Sequence, residues 1–440
     1  MNEKKYKLLL ILPAFNRSLE KKIVPFWMPP LGLVTIAGGV PENWSVRIID
    51  ENVDELNPET EEADLVAISF MTANANRGYQ IADIFRSRGI KVAVGGAHPS
   101  VCQEEAKVHA DILMIGDAEG TFCLMLRDYE NNTLKNIYQR ECSLENMRIF
   151  NYPRRDLYSK GKYLSTNTMQ TSRGCPHVCS FCSIAARYHR KYGVKPLEQV
   201  FREIEEMEDR RDPVFFVDDN IFVDRKRTEE LLKGLIKYGI KWWSQTDIRT
   251  VQDESFLDLA KQSGCINLVL GFESISKKAI DQLSKHQNTD YSYEETIKKL
   301  HRHGIFANPS FTFGLDTDTE DVFQATYDFL AKNGAMFATF NILTPLPGTE
   351  LFRSMIQENR IIDTDWSHYD MGHAVFMPKL MSPEQLKEGY NWICHKFYSM
   401  DDIYRRIKPL KNNHFNIDTN LILGWNLGYK RMIDTFGVLM

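Results

Sequence analysis

Long apolar runs are missing from this chain of 440 residues. The apolar opening KLLLILPAF breaks at Pro13, and no other run approaches the roughly 18 residues needed to cross a bilayer. That opening also lacks the small-residue cleavage site of a secretory leader, so a cytoplasmic location is expected. A basic excess is missing too. The net charge of −5 excludes the electrostatic footprint of a nucleic-acid binder, and no nucleic-acid partner is expected. Cysteine is scarce: eight residues over this length cannot make a disulfide scaffold. Three of them nevertheless crowd together as Cys175, Cys179 and Cys182, which in a reducing compartment reads as metal binding or redox chemistry.

Residues 6 to about 130 alternate short apolar runs with helical patterns. KLLLIL, SVRIID, DLVAISF, KVAVGG and DILMIG read as strands, with amphipathic stretches such as NRGYQIADIFRSRG between them. Five strands that are apolar on both faces and joined by crossover helices predict an α/β domain over residues 1–130, a doubly wound, Rossmann-like parallel sheet. Ligands to such a sheet sit at the carboxyl ends of its strands. Those ends carry PAFNRS, DENVDE, SFMTAN, GGAHPS and GDAEGT. In one loop alone, Gly95, Gly96 and Pro99 read as a tight turn; small residues in four loops along one edge predict a broad, flat ligand.

Residues 131–165 are polar and weakly periodic, which predicts a linker. Over 166–350 strands and helices alternate again. TMQTSRG, VFFVDDN, IKWWSQTD, NLVLGFES, FANPSFTFGL and FATFNILTP make about six βα units, a partial barrel with functional residues at its strand ends. Residues 351–440 predict a helical tail. Its Trp425, Tyr429 and Phe436, with Lys430 and Arg431, fit either a packed core or a peripheral membrane contact suited to a lipid substrate. The aromatic segment over 366–378 fits either a cavity cover or a packed helical cap.

The three cysteines follow the first strand of the barrel. A tetrahedral zinc site wants four ligands, here completed only by recruiting His177 and His189. An iron–sulfur cluster held by three thiolates leaves one iron open. CxxxCxxC with Phe181 before its last cysteine resembles the signature of the radical S-adenosylmethionine (SAM) enzymes. The resemblance implies a [4Fe–4S] cluster on Cys175, Cys179 and Cys182 whose open iron chelates SAM, and an electron donor such as flavodoxin or ferredoxin for reductive cleavage. It further implies SAM contacts at Asp218 and Asp219 of FFVDDN, Gln245 and Arg249 of SQTDIR, and Glu273 and Ser274 of GFES, with NILTPLPGT near the adenine. The other cysteines, Cys102, Cys123, Cys142, Cys265 and Cys394, sit in apolar or helical contexts and are expected not to be ligands.

A doubly wound domain ahead of such a barrel resembles the cobalamin-binding radical SAM class, and the tail is similar to that of the hopanoid C2-methylase subgroup. This implies cobalamin cradled by Phe70, Met71 and Thr72, by Gly95, Gly96, His98 and Pro99, and by Asp117 and Glu119, although GDAEGT departs from the acidic loop usual there. No Asp-x-His-x-x-Gly motif occurs, which implies a cobalt without a histidine from that motif on its lower face. The class implies that one SAM methylates cob(I)alamin while another yields a 5′-deoxyadenosyl radical, moving a methyl group to an unactivated carbon of a small-molecule or lipid substrate. The alternatives are an oxidative cyclase or rearrangement enzyme, with or without cobalamin, and a non-catalytic sensor.

Overall fold

The computed structural model describes residues 5–15, 28–140, 147, 151–159, 161–163, 165–207, 209–288, 290–412 and 419–437. The chain forms two compact units, Met1–Thr168 with Asp365–Tyr369, and Met169–Thr364 with Asp370–Met440. No helix among the described residues is long and apolar enough to cross a membrane.

The first unit holds strands β1 (Tyr6–Leu12), β2 (Trp44–Asp50), β3 (Leu65–Ser69), β4 (Lys91–Gly95), β5 (Ile112–Gly116) and β6 (Ile137–Arg140). They form one parallel sheet in the order β2-β1-β3-β4-β5-β6. Alternate residues serve opposite faces. Leu9, Ile11, Val66, Ile68, Val92 and Val94 pack on Ile81, Ala82 and Phe85 of the Ala75–Ser87 helix. Leu8, Leu10, Leu65, Ala67 and Ala93 pack on Leu33, Ala37, Phe122 and Leu126. Burial on both faces explains the near-continuous apolar strand sequences. Five strands were expected; the sixth, β6, comes from the stretch expected as a linker. It is an edge strand with only Tyr138 buried, too short and too polar to show a period.

The second unit begins at β7 (Thr168–Met169), followed by β8 (Ser172–Gly174), β9 (Tyr192–Val194), β10 (Val214–Phe216), β11 (Trp242–Thr246), β12 (Cys265–Glu273), β13 (Phe306–Phe313) and β14 (Thr339–Ile342). Six of these form a partial barrel ordered β14-β13-β12-β11-β10-β7, parallel from β10 to β14. The first barrel strand is shorter than TMQTSRG. Only Thr168 and Met169 join the sheet; Ser172–Gly174 turns away to pair antiparallel with Tyr192–Val194. That hairpin brackets the cysteine loop. It closes so tightly that a side chain at Gly174, where φ is +85°, would meet the Lys191 carbonyl.

The tail is helical and built into the second unit. Pro383–Phe397 starts from a reciprocal cap between Ser382 and Gln385. Ile422 and Trp425 of the Thr419–Phe436 helix join Phe306, Phe337 and Ile403 in a cluster near the amino ends of the barrel strands. Trp425 lies 5.7 Å from Trp243 and Tyr429 lies 5.3 Å from Tyr398, ring to ring, so both aromatics are core. The 366–378 segment is divided between the two units. Trp366 donates to Glu105 within the first unit, while Phe376 is buried in the second and its bridge to Ile361 is antiparallel.

Gly96 is demanded from inside the fold. Its φ of +99° and ψ of −166° belong to glycine, and a Cβ there would sit 2.6 Å from the Phe70 carbonyl oxygen. Gly96→Ala should therefore destabilise the first unit by about 1–3 kcal/mol. A chemical-unfolding midpoint equal to that of the parent protein would refute this account of Gly96.

Candidate functional site

The cysteine loop runs from Gly174 to the Ser183–Tyr188 helix, whose N-cap is Cys182. It is stitched in place at three points. The Cys182 N–H donates to Cys179 O at 3.1 Å, Ser180 N–H to Leu283 O at 3.1 Å, and Leu351 N–H to Ser180 O at 3.0 Å. None of the three thiols is in a disulfide. Burial raises the pKa of all three, that of Cys175 to about 11, so metal-free thiols stay protonated and a bound metal displaces their protons. Donors and charge compatible with thiolates surround them. Gln287 Nε2 lies 3.6 Å from Cys179 Sγ, the Asn220 amide reaches Cys175, and the buried Lys285 ammonium favours the charged forms of Cys179 and Cys182. Such neighbours suit a thiolate-held cluster. The zinc alternative loses its extra ligands: His177 Nε2 lies 3.0 Å from both Asp247 Oδ2 and Arg249 Nη2, and His189 is exposed in a left-handed turn. Phe181 packs partly buried against the barrel core.

The residues expected around SAM converge on the same carboxyl edge, with unequal freedom. Asp218 is 0% exposed and fully engaged, accepting from Thr171 N–H at 2.6 Å, Thr171 Oγ1 at 2.5 Å and Ser172 Oγ at 2.8 Å. Asp219 accepts from Gly174 N–H at 2.7 Å through Oδ2. Burial raises the pKa of both carboxyls, and the hydrogen bonds oppose the rise. Gln245 lies half-buried within β11, and Arg249 is exposed against Asp247. The hydrogen bonds from His177 and Arg249 hold the Asp247 carboxyl well below the usual carboxylate range against its burial.

Glu273 closes β12 at a register shift, with φ at +61°. Its Oε1 pairs with buried Lys285 and its Oε2 accepts from Thr312 Oγ1 at 2.9 Å. Ser274, also buried, accepts from Ser276 N–H at 3.1 Å. Asn220, Asp247, Lys285 and Gln287 were not singled out from sequence. Lys285 and Gln287 sit in an ordinary polar turn, LSKHQN, which carries no local signal.

In the first unit the expected cradle is likewise partly internal. Phe70, Thr72, Pro99, Asp117 and Glu119 are buried, and His98 is fully so. Met71 is 52% exposed, and Gly95 and Gly96 are half-buried. Among the described residues these loops therefore offer small or buried side chains with Met71 projecting, a surface that fits a broad planar ligand. Cys123 donates to Gly39 O, and Cys265 and Cys394 are buried in the barrel core. Cys142 lies outside the described residues.

Two changes test the barrel edge. Lys285→Met leaves the Glu273 carboxylate buried without its cation, and should lower stability by about 3–5 kcal/mol. Adding Glu273→Leu should restore most of that loss. A double variant as unstable as Lys285→Met alone would show that Lys285 does not act through this pair.

Comparison with known proteins accounts for both units. Residues 24–126 match the B12 binding domain and residues 169–330 the radical SAM superfamily. The chain is 31% identical to bacteriochlorophyllide d C-12(1)-methyltransferase of Chlorobaculum tepidum, over 92% of this chain and 90% of that one. It is 27% identical to hopanoid C-2 methylase of Rhodopseudomonas palustris, over 89% and 80%. Among solved structures it resembles the cobalamin-dependent SAM radical enzyme OxsB, with a TM-score of 0.66 at 15% identity over 98% of this chain and 72% of that one. With 31% identity along nearly the whole length of a relative, and both domain types present in that order, the chain belongs to the cobalamin-binding radical SAM enzymes.

Proposed function

We propose that this enzyme transfers a methyl group to an unactivated carbon of a small-molecule or lipid substrate. The observation that carries the reading is the pairing, in one chain, of a three-thiol loop at a barrel edge with a doubly wound sheet whose carboxyl edge presents no exposed histidine among the described residues. The relatives named for bacteriochlorophyllide d and hopanoid substrates support a bulky, largely apolar ring system as the acceptor.

When bound, the cluster with SAM supplies a carbon-centred radical and cobalamin supplies the methyl group. Cys175, Cys179 and Cys182 would hold the cluster by their thiolates. Asp219 and Glu273 offer carboxylates to the ammonium of SAM. Lys285 can exchange its bond with Glu273 for one with the carboxylate of SAM, which keeps the buried charges paired with and without ligand. Reductive cleavage needs an outside electron, and the exposed Arg190 and Lys191 beside the cluster helix suit an acidic flavodoxin or ferredoxin. For a peripheral membrane contact the exposed Leu423 and Leu427, one helical turn apart, are the available apolar residues of the last helix.

Methyl transfer by this route consumes two SAM molecules in unlike ways. S-adenosylhomocysteine and 5′-deoxyadenosine should form in roughly equal amounts, and deuterium from the reacting carbon of the substrate should appear in the latter. Replacing the three cysteines with alanine should abolish the charge-transfer absorbance of the cluster together with 5′-deoxyadenosine. Turnover that yields 5′-deoxyadenosine without S-adenosylhomocysteine and without need of cobalamin would replace this reading with a cyclase or rearrangement.

A further inference from the structure

Met71, a large apolar side chain, stands exposed at the carboxyl edge of the first sheet, on the loop after β3. Met71 is 52% accessible, while its neighbours Phe70 and Thr72 are buried. Its backbone is nonetheless held from three directions. The Met71 N–H donates to Asn74 Oδ1 at 2.9 Å, and Asn74 Nδ2 donates to Pro13 O at 2.9 Å, which ties this loop to the one after β1. Thr72 Oγ1 lies 3.3 Å from His98 Nδ1, and the Phe70 N–H donates to Gly95 O at 3.1 Å. β1 and β3 are adjacent, and β1 pairs with β2 on one side and β3 on the other. This is the topological switch point, where open α/β sheets bind ligands. An exposed thioether on a fixed backbone at that point has no role in the core of its own unit.

We propose that Met71 lies against the lower face of bound cobalamin, beneath the cobalt, and keeps water and nitrogen bases off that position. The inference rests on the proposed methyl transfer from cobalamin and deepens it by assigning the residue. A corrin lying flat on this edge turns one face to the protein and must leave the other free for methyl exchange. The histidines of the first unit are His98, His109 and His368. His98 is fully buried beside Thr72, His109 pairs with Asp83 at 2.9 Å, and His368 is half-buried on the Trp366–His368 turn, so none of the three stands exposed at this surface. A thioether is soft, uncharged and a weak donor, and it carries no proton to lose. Beneath cobalt it shields without stabilising the oxidised states strongly, which favours reduction to the nucleophilic cobalt(I) state.

Electron paramagnetic resonance of the cobalt(II) state reads the axial ligand directly, because a bound nitrogen splits each cobalt line into three. The full-length parent protein, loaded with cobalamin, should show no nitrogen splitting, and Met71→Leu should match it. Met71→His should bind cobalamin in the parent amount and gain the threefold splitting. Labelling its histidine with nitrogen-15 should convert that splitting to twofold, separating the new imidazole from the base of the cofactor. Val101→His, at a 37% exposed position of the same unit, should leave the spectrum unchanged. A Met71→His protein that binds cobalamin with the parent spectrum overturns the assignment alone, as does splitting in Val101→His. Parent protein that holds its iron but takes up no cobalamin overturns both the assignment and the cobalamin reading.

Discussion

The buried carboxylate of Asp218 roots the cluster loop. β7 contributes only two residues to the sheet, too few to position the segment after it. The loop is anchored because Asp218, just past the end of β10, takes three hydrogen bonds from Thr171 and Ser172 while Asp219 takes the Gly174 N–H. Burying a charge costs several kcal/mol unless its lone pairs are satisfied, and here the donors converge from the one segment that must be positioned. Further polar contacts lie beneath. Arg227 donates to the Thr171 and Lys195 carbonyls, and Lys195 pairs with Glu203 at 2.6 Å, both buried. A short hairpin with little apolar content is thereby fixed in place by buried polar contacts, and the cysteine loop that it brackets shares that anchor.

The same economy of buried charge shapes the end of β12. Glu273 adopts a left-handed backbone that costs about 1–3 kcal/mol and persists only where its surroundings over-determine it. Lys285 and Thr312 provide that constraint by holding both carboxylate oxygens. The result is a buried ion pair beside Cys179 and Cys182, a pattern of both charge signs that would suit a zwitterionic ligand such as SAM.

In the first unit packing rather than charge does the positioning. Phe70 and Tyr79 cross edge to face beneath the β3 loop, His98 fills the space behind it, and Gly96 lets the β4 loop close over the Phe70 backbone. Of the residues expected to meet the cofactor there, several prove to be the support of the surface, and Met71 is the one that projects from it.

Much of the architecture was readable from residues alone, because both signals are local. Two-faced apolar strands at regular spacing announce a parallel sheet under helices, and CxxxCxxC places three thiols within one loop regardless of what surrounds them. Exposed surface and buried support were not readable, since Asp218 and Asp219 are chemically identical neighbours and only the fold buries the first among three donors and leaves the second half-buried with the Gly174 N–H. Lys285, Gln287 and Asn220 were invisible for a related reason: Asn220 reaches the cysteines from just past β10 and the other two from the turn after the Lys277–Gln282 helix, and no spacing in the chain records that approach. The edge strand β6 was missed because a strand with one buried residue has no period. The local pattern of side chains thus determined the chemistry of the cluster and the class of fold. Which charges pair, which face the ligand and which hold the loop were decided by the convergence of parallel strand ends, where low dielectric makes each unpaired charge too costly to leave alone.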